Sequence, residues 1–470
     1  MHQADYPHGM SINALRFFCI SILICFILFS NSLTAQETAP PVTISKLQQS
    51  IVFDGKVEDP AWKDISSLPL VMYEPVFEGE ISEPTEIRIA YDENFIYASG
   101  RFEFDNMSDL RSNSLTRDNY KSGDTFGFVI DPYNDNENAL FFWINPDGTR
   151  FDAAVSNDAD FSNGNVFNQD FNTFWEAKTT RDETGWYAEL RIPLSSLGFQ
   201  VKDEKVTMGV ITYRFIAKKN ERYIYPAVPP KWAIGFAKPS QMQDIIMESK
   251  EVKNPFYLTP YVLSDMNQQT DLNNSNTEYL TTDEFKPTVG VDLKYNISTN
   301  LSLDVTINTD FAQVEVDDQQ INLSRFSIFL PEKRQFFQER AGVFDFGFGG
   351  PNRLFYSRRI GLDNTGAPIT IYGGTRLIGR MGKWDLGLID MQTAKTESNP
   401  SENFGLIRLR RQVFNQNSFV GGIFTSRLGA NGNYNLVYGL DGLVRISGFD
   451  FINVKWSQTF DDEISAENKN

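Results

Sequence analysis

Histidine and cysteine are almost absent from this chain of 470 residues. The two cysteines are Cys19 and Cys25, and the two histidines are His2 and His8. All four lie in the N-terminal leader described below, so a chain without that leader has neither residue type. This excludes a disulfide framework, a cysteine nucleophile, a Ser-His-Asp triad and zinc sites built from Cys or His. Carboxylate-based chemistry and an oxygen-liganded metal remain open.

An excess of positive charge is also missing. The chain has 43 Lys and Arg against 61 Asp and Glu, which gives a formal net charge of -18. Because proteins bind phosphate backbones through basic faces, we expect no nucleic-acid partner. Charged residues make up 22% and hydrophobic residues 41%, as in a folded globular chain. At roughly 100–200 residues per domain, the length predicts two or three domains.

The N-terminus has the pattern of a secretory signal peptide over residues 1–35. Arg16 precedes an apolar run from Phe17 to Phe29, and small residues lead to a predicted cleavage site after Ala35. The run is shorter than the roughly 20 residues that a membrane-spanning helix needs, which favours cleavage over a signal anchor. We therefore expect an exported protein.

Residues 41–248 alternate apolar and polar side chains over short stretches separated by turn residues. Thr85–Tyr91 alternates in this way, the chain turns at Asp92–Asn94, and alternation resumes from Ile96 to Phe102. This pattern predicts a β-hairpin. Repeated along the segment, it predicts an all-β domain, most simply a β-sandwich.

Four blocks of this region resemble the family 9 carbohydrate-binding module in their order and spacing. The blocks are Ile51–Trp62, Gly123–Asp131, Phe174–Ala177 and Gly185–Pro193. The resemblance implies a β-sandwich whose partner is an oligo- or polysaccharide.

The predicted sugar site contains two tryptophans. Trp143 lies opposite Phe142 and Ile144 on its strand, so we expect its ring to be exposed. Trp175 belongs to a block near which modules of the resembled family place an aromatic. The predicted polar partners are Asn145, Asp147 and Arg150, although Asn-Pro-Asp-Gly at 145–148 is more simply explained as an ordinary turn.

A calcium site is a second hypothesis. Oxygen-bearing side chains are dense between residues 131 and 137, and calcium takes six to eight oxygen ligands. The candidate ligands are Asp131, Asn134, Asp135 and Glu137. Since the spacing does not match an EF-hand, a solvated hairpin loop is the competing interpretation.

A predicted linker at 249–256 leads into a second region, 257–470, with longer alternating strands. Segments of about ten residues with one apolar face and short turns are typical of an outer-membrane antiparallel β-barrel. A second soluble sandwich remains the alternative. An irregular insertion at 310–361 interrupts the strands. Because 464–470 form a polar tail rather than a closing strand, we expect an incomplete barrel with a free edge.

Three blocks of the insertion resemble an uncharacterised Bacteroidetes outer-membrane family, in which a family-9-like module precedes a barrel. The blocks are Arg325–Arg340, Phe344–Gly347 and Leu354–Gly361. The resemblance implies a location in the cell outer membrane with lipid contacts, but no agreed reaction. The arginines here either bind lipid head groups or face the barrel interior.

Three classes of function are left open. The first is an outer-membrane protein whose module recognises glycans for carbohydrate uptake or catabolism. The second is a carboxylate-based hydrolase acting on O-glycosyl compounds. The third is an assembly protein whose sandwich has lost sugar binding and docks an outer-membrane protein partner.

Overall fold

The computed structural model describes residues 39–119, 123–160, 166–248, 256–272, 277–309, 332–349, 352–363, 369–396, 399–447 and 450–462. The predicted signal peptide, residues 249–255 of the predicted linker, segment 310–331 of the insertion and the C-terminal tail lie outside these ranges.

The described chain is all-β, as predicted. The first fifteen strands are β1 (Val42–Thr43), β2 (Ser45–Lys46), β3 (Val71–Glu74), β4 (Thr85–Tyr91), β5 (Phe95–Glu103), β6 (Thr125–Asp131), β7 (Ala139–Ile144), β8 (Arg150–Val155), β9 (Phe167–Asn168), β10 (Glu176–Arg181), β11 (Gly185–Pro193), β12 (Val201–Lys202), β13 (Lys205–Ile216), β14 (Glu221–Tyr225) and β15 (Gln243–Glu248). The next nine are β16 (Phe256–Leu272), β17 (Tyr279–Ser298), β18 (Leu301–Thr309), β19 (Ile371–Met381), β20 (Trp384–Thr393), β21 (Glu402–Gln412), β22 (Phe419–Gly429), β23 (Tyr434–Ser447) and β24 (Asp450–Asp461).

Helical structure in the described residues is short. The α-helices there are α1 (Pro60–Lys63) and α2 (Gln335–Gln338), and the 3-10 helices are Met107–Asp109, Asn157–Ala159, Leu194–Ser196, Gly235–Ala237, Pro239–Gln241, Ala341–Phe344 and Ser357–Arg359. Within the described ranges, none of these helices has the length and apolarity to cross a membrane.

The first fifteen strands form two packed sheets. The larger has ten strands, with a main order of β1-β15-β13-β6-β7-β8-β9 and with β3, β12 and β14 attached, and the smaller has the order β10-β11-β5-β4-β2. The predicted hairpin is confirmed, because β4 and β5 pair antiparallel from Thr85↔Phe102 to Tyr91↔Ile96. Alternate side chains of both sheets meet in one core, which includes Phe126, Phe128 and Trp186. Burial of these rings stabilises the sandwich by roughly 1.5–3 kcal/mol each.

The larger sheet is covered on its other face as well. Trp143, Phe141 and Phe151 belong to a second apolar cluster, in which Trp232 and Phe236 pack over them from the segment between β14 and β15. The expected exposure of Trp143 is therefore wrong: its side chain is 3% exposed. Alternation identifies the two faces of a strand, but it does not show whether a loop covers the second face.

Strands β16 to β24 form a nine-stranded antiparallel sheet in which each strand pairs with the next along the chain. In the described residues, pairing runs from β16 to β24, and none joins these two edge strands. The outward face is apolar and exposed across the sheet, as the alternation of the second region predicts. Its members include Val262, Val289, Ile407, Val420, Phe424, Tyr438, Leu440, Val454 and Trp456.

The inner face of this nine-stranded sheet carries buried charge and is covered by the insertion. Phe344 and Phe346 of the insertion pack on Ile378, Ile389 and Leu406 of the sheet. Cationic side chains of the sheet also donate to insertion carbonyls: Arg408 Nε to Val343 O at 3.1 Å, and Lys455 Nζ to Gly347 O at 2.6 Å. These contacts seat the insertion on the sheet.

Ion pairs join the sandwich to the nine-stranded sheet and its insertion. Arg410 pairs with Glu137, Arg340 pairs with Asp135 at 3.3 Å, and Arg445 pairs with Asp158 at 3.0 Å. Asp135 and Glu137 belong to the turn between β6 and β7. This turn is therefore one attachment point of the sandwich.

Candidate functional site

A cavity of about 760 Å³ lies between the sandwich and the nine-stranded sheet. One wall comes from the sandwich, where β7, β8 and the segment 171–176 border the space. The other wall comes from β16, β17 and β18 together with the insertion around α2. The cavity therefore exists because the two parts of the chain are held together.

Aromatic side chains from both walls meet at this cavity. Phe174 is 72% exposed, and its ring lies 6.2 Å from the ring of Tyr257 with an interplanar angle of 20°. Trp175, Phe171 and Phe336 also border the space. Trp175 is 2% exposed and packs edge-on against Phe142 of the sandwich core at 5.2 Å. Stacked and edge-on rings of this kind provide apolar surfaces of fixed orientation.

The segment that carries Phe174 and Trp175 is anchored through buried Asp152. One oxygen of Asp152 accepts from Arg117 Nη2 at 2.6 Å, and the other accepts from the backbone N–H of Thr173 at 2.9 Å. The same Arg117 nitrogen donates to Asn172 Oδ1 at 2.7 Å. These bonds position the segment against β8 and bring the guanidinium of Arg117 to the cavity wall.

Arg150 begins β8 and lies beside Trp175. Its Nη1 donates to the carbonyl of Trp175 at 2.5 Å, and its guanidinium carbon lies 5.6 Å from the centre of the Trp175 ring. An arginine over an indole face is held by the attraction between its charge and the ring quadrupole. The pair therefore presents a cation and a ring edge to the same space.

The opposite wall carries a chain of ion pairs. Arg376 pairs with Asp304 at 2.7 Å and with Glu339 at 3.4 Å, and Lys294 pairs with Glu339. Burial alone would raise the pKa of Glu339, but the charges of Lys294 and Arg376 outweigh it and lower the pKa to about 2. Glu339 is thus ionised, and the two cations compensate its charge. Its role is to stabilise this wall.

The structure brings two of the five predicted sugar-site residues to the cavity. Trp175 and Arg150 border it, whereas Trp143 is stacked on Phe151 in the second apolar cluster of the larger sheet. Whether the five residues bind sugar stays a prediction. The exposure that motivated the choice of Trp143 is absent because the loop between β14 and β15 covers that face.

Asn145 and Asp147 shape the turn between β7 and β8. Asn145 is fully buried, and its Oδ1 accepts from the N–H groups of Asp147 and Thr149 at 3.1 Å and 2.9 Å. Gly148 has φ +79°, a conformation that favours glycine. Asp147 pairs with Arg181 rather than facing the cavity. These contacts agree with the ordinary turn.

The four candidate calcium ligands are engaged elsewhere. Asp131 accepts from the N–H of Asn136 at 2.7 Å, and burial, followed by the charge of Asp135, raises its pKa well above the ordinary value. Asp135 and Glu137 face arginines of the second region, and Asn134 bonds the Asp244 carboxylate. In the described ranges, no group of three or more acidic side chains is arranged to hold a metal ion. The calcium site stays a prediction that these contacts do not favour.

Sequence reasoning missed most of the cavity wall. Phe174 lies in the block Phe174–Ala177, which indicates only the family resemblance, and Tyr257, Lys294 and Glu339 belong to the other region of the chain. The adjacent aromatics at 174 and 175, in a segment without alternation, were the signal available for the sandwich side. Nothing in the sequence pairs that segment with β16 or α2.

Residues 256–373 match the model of a domain of unknown function, DUF5916. None of the curated proteins compared with this chain matches it.

Solved structures provide three likenesses. A family 9 carbohydrate-binding module from Caldicellulosiruptor kristjanssonii, in complex with cellotriose, is 17% identical, with a TM-score of 0.31, and covers 45% of this chain and 95% of its own. A family 9 module from the same organism, in complex with glucose, is 15% identical, with a TM-score of 0.31. It covers 45% of this chain and 97% of its own. A putative carbohydrate-binding protein from Bacteroides uniformis is 13% identical, with a TM-score of 0.34 and coverage of 44% and 99%. The sugars named there belong to those proteins.

Proposed function

We propose that this protein is an outer-membrane glycan-binding protein that serves carbohydrate uptake or catabolism, and that it binds its glycan in the cavity between the sandwich and the nine-stranded sheet. The observation that carries this proposal is the lining, where aromatic rings lie beside guanidinium and amide groups. Sugar rings present axial C–H patches that pack on aromatic faces, and their hydroxyls need hydrogen-bonding side chains. A volume of about 760 Å³ falls within the usual range for ligand pockets.

The outer-membrane location is supported by the two faces of the nine-stranded sheet. Its outward face carries many large apolar side chains that are exposed, and its inner face carries buried ion pairs such as Arg408–Asp441 at 2.5 Å. An apolar exterior and a polar interior are what a lipid-embedded barrel needs. Strands of 9 to 20 residues are long enough to cross a bilayer. The predicted signal peptide agrees with export.

The alternative functions have less support from the contacts. A hydrolase needs carboxylates available for proton transfer or attack. Of the four described carboxylates that border the cavity, Asp304 and Glu339 pair with cations of the wall. Both oxygens of Glu176 accept from Arg191 Nη2 at 2.8 Å, and Asp292 accepts from the Thr306 hydroxyl at 2.6 Å. A docking module needs an unoccupied surface for a second protein, whereas the turn between β6 and β7 is occupied by this chain's own arginines.

The experiment is a titration of the purified full chain with oligosaccharides, followed by calorimetry or by tryptophan fluorescence. Phe174→Ala and Tyr257→Ala should each weaken binding about fivefold, because one aromatic contact contributes about 1 kcal/mol beyond its buried area. Phe414→Ala is the matched control, since Phe414 is 71% exposed and does not border the cavity. Equal losses in all three variants, or no binding of any glycan by the parent, would contradict the proposal.

A further inference from the structure

Arg150 differs from the other arginines at the cavity. Arg117, Arg340 and Arg376 each pair with a carboxylate. Arg150 makes one hydrogen bond, from Nη1 to the carbonyl of Trp175, and pairs with no acidic side chain in the described part of the chain. Its Nε and Nη2 donate to no described residue. Nε and Nη2 lie on one edge of the guanidinium, and such an edge can donate two parallel N–H bonds to one carboxylate.

The acidic side chains near Arg150 are occupied by other cations. Asp147 pairs with Arg181, Asp152 pairs with Arg117 at 2.6 Å, and Glu176 pairs with Arg191 at 2.8 Å. The sandwich wall of the cavity therefore keeps one positive charge that its own carboxylates do not neutralise.

The charge of the whole lining points the same way. Among the described residues that border the cavity, five are cationic and four are anionic, namely Arg117, Arg150, Lys294, Arg340 and Arg376 against Glu176, Asp292, Asp304 and Glu339. The full chain has a formal net charge of -18. Because the lining has no excess negative charge, an anionic ligand can enter the cavity. Most of the surface of this acidic protein would repel such a ligand.

We infer that the cavity takes acidic glycans, oligosaccharides with a carboxylate on a sugar ring as in uronic acids, and that Arg150 pairs with this carboxylate. This inference rests on the proposed glycan-binding function and names its substrate class. Trp175 completes the subsite, because its ring lies beside the Arg150 guanidinium. The Trp175 ring is held in the sandwich core, and its face and its carbonyl fix the guanidinium of Arg150 at the cavity wall.

The test uses the full chain and trimers of galacturonic, glucuronic and mannuronic acid, each paired with its methyl ester. The ester keeps the sugar skeleton and removes the charge. For at least one trimer, the acid should bind about tenfold or more tightly than its ester, since a charge-assisted bidentate pair contributes at least that factor. Raising the salt concentration should reduce this preference.

Variants assign the preference to one residue. Arg150→Gln should make acid and ester bind equally, while Arg150→Lys should keep part of the preference. Arg88→Gln is the control for loss of a half-buried guanidinium away from the cavity. Arg88 donates from Nε to the carbonyl of Ile65 at 3.0 Å and pairs with Glu86 at 2.7 Å. Circular dichroism of each variant separates lost binding from lost folding.

The outcomes separate this inference from the function it deepens. If neutral oligosaccharides or esters bind as tightly as the acids, the acidic class is wrong and glycan binding stands. If an acid preference survives in Arg150→Gln, the assignment to Arg150 is wrong. If no acid, ester or neutral glycan binds the parent, both the inference and the proposed function are overturned.

Discussion

Trp143 acts through packing. Its ring stacks on Phe151 with centroids 5.2 Å apart and an interplanar angle of 16°. Adjacent positions of β7 point to opposite faces, and Phe141, Phe142 and Trp143 are all buried. Such a continuous aromatic run is typical of a strand that is covered on both sides, and it is the sequence feature from which burial of Trp143 could have been predicted.

Trp143→Ala should lower the free energy of unfolding of the sandwich by about 3–5 kcal/mol, because it leaves a large cavity between β7 and its covering loop. Trp143→Phe should cost less, since most of the packed surface is kept. Chemical denaturation of the full chain, followed by far-ultraviolet circular dichroism, measures both. A weakened glycan affinity without any loss of stability would instead indicate that the ring contacts the ligand.

At the scale of elements, the turn between β6 and β7 has a different role from the one its composition suggested. Its carboxylates receive backbone N–H groups and the guanidinium groups of Arg340 and Arg410. The density of acidic residues was visible in the sequence. Their arginine partners were not, because those partners lie some two hundred residues or more further along the chain, on elements whose placement depends on the complete fold.

Arg410→Met should loosen this attachment. Removing one partner of a buried ion pair leaves an uncompensated charge on Glu137 and costs about 3–5 kcal/mol. Hydrogen exchange measured by mass spectrometry should accelerate at the N–H groups of residues 136–138, which bond Asp131 and Asp135 in the wild type.

Arg427→Met is the control for that experiment. Arg427 forms its ion pair with Glu402 at 2.8 Å within the nine-stranded sheet, so its loss should affect the sheet without changing exchange in the β6–β7 turn. Equal acceleration in both variants would contradict a specific attachment through Arg410.

At the scale of the molecule, the alternating pattern of the second region was readable in the sequence, and its apolar face is where the structure places it. Val454 and Trp456 are exposed on the outward face, and the neighbouring Lys455 reaches the insertion on the other side. The cavity was not readable. The cavity forms where a segment of the sandwich faces the first strands of the nine-stranded sheet. No local sequence pattern predicts the contact between these two parts.

Leu440→Arg should impair membrane insertion if the outward face contacts lipid. Leu440 is 61% exposed on β23, and a charge at mid-bilayer costs about 2–4 kcal/mol. The fraction of protein inserted into lipid vesicles measures the effect. Leu115→Arg is the matched control, because this leucine of the sandwich is 81% exposed and should tolerate the charge. Equal insertion of both variants would argue against lipid contact.

The division of the cavity between two parts of the chain couples recognition to assembly. A ligand seated between Phe174 and Tyr257 touches both parts, so its binding energy also opposes their separation. By thermodynamic linkage, any change that favours separation of the two parts lowers the affinity for the ligand. Ligand binding in turn stabilises the association of the two parts by the same free energy. The isolated sandwich lacks half of the wall and would release a glycan that the whole protein retains. A bound glycan would thus link the sandwich and the nine-stranded sheet reversibly, and its affinity would be highest when the two are in contact.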